Sequence, residues 1–201
     1  MKLRLYYPVR PKQVKQAFGV NPDYYKKFHD YHGNPLKGHD GIDFAASHGT
    51  PVYAAHDGRI HFERDAHGGE GMAIHTTQEY EFENAKAYFI SIYWHLIGDT
   101  DPAFVSPFRT DGKSYPVKAG DLIGYADNTG APYESDGTHL HFGLFPVDGR
   151  ENTLNIDNGF NGRINPEPYF TGIYADVVHT LLGALVETLK KMVEYYKSVR
   201  K

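Results

Sequence analysis

The chain contains no cysteine. That excludes disulfides and thiolate metal sites, so any transition metal must be held by His, Asp or Glu. No run of about 18 apolar residues occurs, and no membrane-spanning helix is expected. The opening residues, Met1-Lys2-Leu3-Arg4-Leu5-Tyr6-Tyr7-Pro8, lack the apolar stretch of a secretory leader. Tryptophan occurs once and methionine three times, so the core must be built from other large residues, and 16 Tyr and 12 Phe supply them. The 21 Gly and 12 Pro are spread along the chain, which fits strands and tight turns. Twelve His provide metal-binding or proton-transfer chemistry in quantity.

The net charge of −4 is unevenly spread. Residues 1–38 carry +6, residues 39–171 carry −12 and residues 172–201 carry +2. An acidic body argues against a nucleic-acid surface and suits a cation or a neutral substrate.

Three regions follow from the pattern. Residues 1–38 are basic and aromatic, and they predict a first strand and one short helix, over 11–18 or 22–31. Residues 39–171 alternate short apolar runs with turn signals, as in Val52-Tyr53-Ala54-Ala55, Ile90-Ser91-Ile92-Tyr93-Trp94 and Leu122-Ile123-Gly124-Tyr125. No useful helical period appears there, so a mainly β fold is expected, an antiparallel sheet in an open barrel or sandwich. Residues 172–201 read as an amphipathic C-terminal α-helix. Val178, Leu182, Leu185, Leu189, Met192 and Tyr196 are spaced 4, 3, 4, 3, 4. That seam is expected to pack on the β domain; a helical dimer or contact with a membrane surface is the alternative.

Two short motifs carry chemistry. In His39-Asp40-Gly41-Ile42-Asp43, a straight strand would leave the two ligand-type side chains about 13 Å apart at Cα. The chain must bend if both serve one ion, and Gly41 at the midpoint permits the bend and a close approach. In His139-Leu140-His141, a strand would put both imidazoles on one face and Leu140 into the core. Neither motif is specific alone: 12 His in 201 residues make about 0.7 His-x-His pairs by chance.

Their context is specific. Gly38-His39-Asp40-Gly41-Ile42-Asp43-Phe44, Gly49-Thr50-Pro51-Val52-Tyr53-Ala54-Ala55, Tyr93-Trp94-His95-Leu96, Ala119-Gly120-Asp121-Leu122-Ile123-Gly124, Asn128-Thr129-Gly130 and Thr138-His139-Leu140-His141-Phe142 follow one another in that order. Together with Gln16-Ala17-Phe18-Gly19 and Ile164-Asn165-Pro166, these blocks make residues 16–170 resemble the lysostaphin/LytM-type zinc metallopeptidases. The resemblance implies a duplicated hybrid motif fold and one zinc per chain held by His39, Asp43 and His141. It implies His95 and His139 as the catalytic pair. Two imidazoles and one carboxylate leave a fourth position for water, as in catalytic zinc sites. Which histidine is the base is left open by the sequence.

The implied activity is hydrolysis of peptide bonds in bacterial cell-wall peptidoglycan, with the wall peptide as partner. A non-catalytic peptidoglycan-binding or amidase-activating module, a virion-associated wall-penetration component and a phosphocarrier-like domain are the rival readings. The first and last lose ground to the complete ligand and histidine set. Action is expected at the wall, whether extracellular, periplasmic or phage-delivered. Three stretches depart from the family pattern: 20–37, 77–87 and 98–117. All three are expected to wall the substrate groove.

Overall fold

A computed structural model describes residues 1–98, 101–104, 106–108, 111–132, 135–172, 174–175, 185–186, 188–190 and 192. The strands in chain order are β1 (Val14–Gln16), β2 (Ile42–Ala45), β3 (Pro51–Tyr53), β4 (Gly58–Arg64), β5 (Glu70–His75), β6 (Tyr80–Phe82), β7 (Ala85–Trp94), β8 (Tyr115–Val117), β9 (Leu122–Tyr125) and β10 (His139–Val147). The main sheet runs β1-β2-β10-β7-β5-β4-β8, with β6 paired to β7, and β3 pairs with β9 in a second, two-stranded sheet. Every strand pair is antiparallel. The mainly β, antiparallel reading of the sequence is the observed architecture.

Alternation explains the layers. On β10, Leu140, Phe142 and Leu144 are fully buried. They belong to one buried cluster with Phe44 from β2, Ile60 from β4 and Ile74 from β5, which Val52 and Ile123 from the small sheet complete. Tyr93 is enclosed on β7 because its hydroxyl has partners: it receives the Ala55 N–H at 2.8 Å and sits 3.2 Å from Ser91 Oγ. A buried phenol without them would be costly.

The first ten residues belong to this core. Leu3, Leu5 and Val9 are buried, and Leu5 is clasped between Tyr169 and Thr171 by two backbone hydrogen bonds of 2.8 Å. Of the two ranges predicted for an N-terminal helix, only 22–31 holds one, α1 (Pro22–Tyr25), whereas 14–16 is strand.

In the C-terminal segment Ala175, Leu185, Val186, Thr188, Leu189, Lys190 and Met192 are helical. The seam is not packed where it is described: Leu185, Leu189 and Met192 are 54%, 51% and 49% exposed. Val178, Leu182 and Tyr196 lie outside the described residues. The apolar surface where the chain leaves the domain is already covered, since Tyr7 stacks on Phe170 at 4.6 Å and Tyr174 lies 6.0 Å from Tyr7.

Candidate active site

The sheet brings the two motifs together by register. Antiparallel pairing of β2 with β10 sets Asp43 directly opposite His141, and directly opposed residues on one face lie within side-chain reach. His39 comes from the segment just before β2. The chain is bent at Asp40 and Gly41 and becomes strand only at Ile42. A Cβ on Gly41 would lie 2.6 Å from His141 Cε1 and 2.7 Å from the Phe142 carbonyl oxygen. The predicted bend is there, and the space that the glycine leaves is filled by the His141 ring.

The result is a nearly equilateral triangle of donor atoms. His39 Nε2 lies 3.1 Å from Asp43 Oδ1 and 3.0 Å from His141 Nδ1, and His141 Nδ1 lies 3.0 Å from Asp43 Oδ1. Tetrahedral zinc, with ligand distances of about 2.0–2.2 Å, requires edges of roughly 3.3 Å. The triangle therefore fits a first-row divalent ion after small side-chain movements, and its two nitrogens and one oxygen suit zinc. Among the described residues no other three His, Asp or Glu donors come within 4.8 Å of one another.

Each ring is oriented by a partner on its far side. His39 Nδ1–H donates to the Ala17 carbonyl at 3.1 Å, which frees Nε2 for the triangle. His141 Nε2 faces Asp40 Oδ1 at 3.8 Å, and Asp40 is itself paired with the Arg163 guanidinium. His139 Nδ1–H donates to the Gly137 carbonyl at 2.6 Å and His95 Nδ1–H to the Thr129 carbonyl at 2.7 Å. A carbonyl only accepts, so both rings carry the proton on Nδ1 and present a lone pair at Nε2. Their ring centres are 4.6 Å apart, and His139 Nε2 lies 3.6 Å from Asp43 Oδ1.

Burial favours the neutral form of His95 and His139, while the Asp43 carboxyl stays charged. Burial, then the neighbouring His141 and His139, push His95 down to about 4. Burial also lowers His139. Burial alone would raise Asp43, but hydrogen bonds and charge from His141 and His39 outweigh it and hold the carboxyl well below the usual range.

All five residues singled out in the sequence line one cleft of about 910 Å³. Its walls differ from expectation. The 20–37 segment does line it, through Tyr24, Tyr25 and Phe28. Among the described residues, 77–87 and 98–117 do not. The first folds back as β6 against the far end of β7. In the second, Phe104 packs on Tyr125 and β8 extends the sheet beside β4. The cleft is also lined by Asp65, Trp94, Pro132, Ser135 and Asp136.

Sequence reasoning missed Asp40, Arg163 and Tyr25. Asp40 stood inside a quoted motif, but its partner Arg163 is 123 residues away. The Tyr25 ring lies 5.3 Å from that of His39. Burial, followed by the charges of Asp43 and Asp40, pushes its phenol up.

With the geometry in place, the chain can be set beside known proteins. The profile of peptidase family M23 matches residues 37–155. The chain is 30% identical over 144 residues, 72% of its length, to an uncharacterized metalloprotease of Haemophilus influenzae, of which the match covers 25%. It is 32% identical over 137 residues, 65% of its length, to the DD-carboxypeptidase/endopeptidase Mpg of Neisseria meningitidis serogroup B, of which the match covers 27%. The chain thus spans about a quarter of the length of these relatives. The catalytic domain of the antimicrobial peptidase lysostaphin from Staphylococcus simulans shares the fold, with a TM-score of 0.51 at 22% identity, over 79% of this chain and 91% of that one.

Proposed function

Since the chain belongs to peptidase family M23, we propose that it is a zinc-dependent endopeptidase that hydrolyses peptide bonds of bacterial cell-wall peptidoglycan. One observation carries the reading. His39, Asp43 and His141 form a donor triangle with edges of 3.0–3.1 Å, and two further neutral imidazoles share its cleft. A non-catalytic module would need neither.

His39 Nε2, Asp43 Oδ1 and His141 Nδ1 would hold a zinc ion, which would supply Lewis acidity toward water and toward the scissile carbonyl. The remaining work falls to side chains. His139 accepts the proton of the attacking water at Nε2, because its Nδ1–H is committed to Gly137. Its Nε2 lies 3.6 Å from Asp43 Oδ1, whereas the His95 ring centre is 6.2 Å from that of His141. The proton taken up at His139 Nε2 passes to the leaving amine, and His95, whose Nε2 also presents a lone pair, accepts a hydrogen bond from the attacking water and orients it. The aromatic wall of Tyr24, Tyr25 and Phe28 excludes water from one side of the cleft. The substrate sets the place of action at the cell wall, reached by export or by phage delivery.

The test is metal content together with turbidity loss on purified peptidoglycan, wild type beside His141→Ala. The expected result is one zinc per chain and chelator-sensitive lysis, with both lost in the variant. Wild-type protein that binds no divalent metal, or lysis that persists in the variant, would overturn the reading.

A further inference from the structure

We infer that residues 126–130 form one positioning element shared by both proton-handling histidines, and that the side chains of Asn128 and Thr129 are what hold it in place. The inference rests on the roles given above to His95 and His139.

The segment lies between the two histidine backbones. Asp127 N–H donates to the His95 carbonyl at 2.7 Å, and His139 N–H donates to the Asp127 carbonyl at 3.3 Å. Ile97 N–H, two residues after His95, donates to the Tyr125 carbonyl at 2.8 Å. His95 itself has φ +65°, in the left-handed region that non-glycine residues seldom occupy. Such a conformation persists only where its surroundings over-determine it, and residues 125–127 supply that constraint.

Beyond residue 127 the segment turns its side chains to the two rings, each at one remove. The Thr129 carbonyl takes the His95 Nδ1–H at 2.7 Å. Its position is fixed by its own hydroxyl, which accepts from the Glu70 N–H at 3.1 Å and donates to the Leu96 carbonyl at 3.0 Å. One Oγ thus ties the carbonyl behind His95 both to β5 and to the residue that follows His95. Asn128 serves the other ring. Its Oδ1 accepts the Gly137 N–H at 3.0 Å and the Ser135 hydroxyl, and the Gly137 carbonyl takes the His139 Nδ1–H at 2.6 Å. Neither side chain touches an imidazole. Each fixes the peptide carbonyl that decides which nitrogen bears the proton and where the lone pair points. Because neighbouring residues do this for both rings, the two histidines are set relative to each other by a single loop. Asn128 and Thr129 are positioning residues.

The test compares Thr129→Val and Asn128→Ala, which remove the bonding groups, with Thr129→Ser and Asn128→Asp, which retain a hydroxyl and an acceptor oxygen. All are made in the full chain. On a soluble cross-linked muropeptide, the Val and Ala variants are expected to lower kcat by about 10- to 100-fold. KM should stay within about two-fold and metal content should not change. Ser and Asp should recover most of kcat. In ¹H–¹⁵N imidazole spectra, the protected Nδ1–H signal of His95 should vanish in Thr129→Val and that of His139 in Asn128→Ala. Wild-type kcat in the Val and Ala variants, unchanged imidazole spectra, loss of metal, or equal loss in the conservative variants would each overturn the inference. His95→Ala and His139→Ala, assayed in parallel, separate it from the functional reading. If they keep full activity that reading fails, while the spectra of the Thr129 and Asn128 variants still decide whether the loop sets the rings.

Discussion

Two histidine pairs in this molecule have the same spacing and different surroundings. His39 and His141 have ring centres 5.0 Å apart, and so do His61 and His75. The first pair is sunk in the cleft and shares one carboxylate oxygen, Asp43 Oδ1, at 3.1 and 3.0 Å. The second stands on β4 and β5, and each ring has its own carboxylate: His61 with Glu63 at 2.6 Å and His75 with Glu151 at 3.1 Å. Register makes the difference. Asp43 and His141 are directly opposed, whereas His75 faces Arg59 and His61 faces Ala73. Two imidazoles at ligand spacing do not make a site; a carboxylate that both can reach does.

The largest effect should come from breaking the shared triangle. His141→Ala or Asp43→Ala should release the metal and reduce cleavage to background, and chelation of the wild type should do the same until zinc is returned. Atomic absorption beside the turbidity assay checks this; retained metal in either variant would count against the triangle. His139→Ala should keep its metal yet lose about 10²- to 10⁴-fold in kcat, the usual worth of a positioned acid–base group.

A methyl group offers a smaller perturbation. Gly41→Ala would place its Cβ 2.6 Å from His141 Cε1 and 2.7 Å from a backbone oxygen. Relief requires moving a ring of the triangle. About a ten-fold loss of metal affinity is expected from displacing that ligand, with about 1–3 kcal/mol of stability lost to overpacking. Gly68→Ala makes the contrast. Its φ is +81° but nothing lies within 4 Å of the new Cβ, so it should cost roughly 1–2 kcal/mol in backbone strain and leave metal affinity alone. Competition titration with a chromophoric chelator distinguishes the two.

His56 supplies a third environment, a buried imidazole whose hydrogen-bond partners are a backbone carbonyl and a hydroxyl in place of a carboxylate. It donates to the Asp57 carbonyl at 2.9 Å and accepts from Ser91 Oγ at 2.8 Å, and burial pushes it down to about 4. An unfolded histidine titrates near 6.5. Between those values the unfolded chain binds a proton that the native state refuses. The stability contribution is therefore complete above about pH 6.5 and is lost as pH falls toward 4, by up to about 3 kcal/mol. Urea unfolding at pH 7 and pH 4.5 should show this, with a flatter dependence in His56→Gln. Equal pH slopes in the two proteins would remove His56 as the cause.

These contrasts also mark how far the sequence could be read. The bend at Gly41 and the inward Leu140 were legible because each depends on local spacing and strand alternation, whereas the five site residues were named only through the family resemblance of the blocks that hold them. Of the three expected groove walls, 20–37 lines the cleft and the other two, among the described residues, do not. Residues 77–87 stand next to His95 in the chain, yet β6 pairs with the end of β7 away from it, and a hairpin's direction is invisible to spacing. Arg163 beside Asp40, and the Thr129 carbonyl behind His95, depend on pairings across 123 and 34 residues. The seam of 172–201 has a clear period, but a period does not name a partner. Leu185 and Leu189 are exposed where packing was expected.

The smallest expected effect is the sharpest test of the opening comparison. His61 and His75 are 30% and 21% exposed at their side chains, and their carboxylate partners 41% and 69%. Histidine–carboxylate contacts that solvated contribute about 0–1 kcal/mol. His61→Ala and His75→Ala, singly and together, should therefore leave one metal per chain, cleavage within about two-fold of wild type and stability within about 1 kcal/mol. If the double variant instead loses metal or activity, equal ring spacing would be enough to recruit an ion at the outer pair, and the shared carboxylate would not be what separates the two. If it behaves as expected while Asp43→Ala fails completely, the distinction rests on Asp43 Oδ1, which lies within 3.1 Å of both rings of the inner pair.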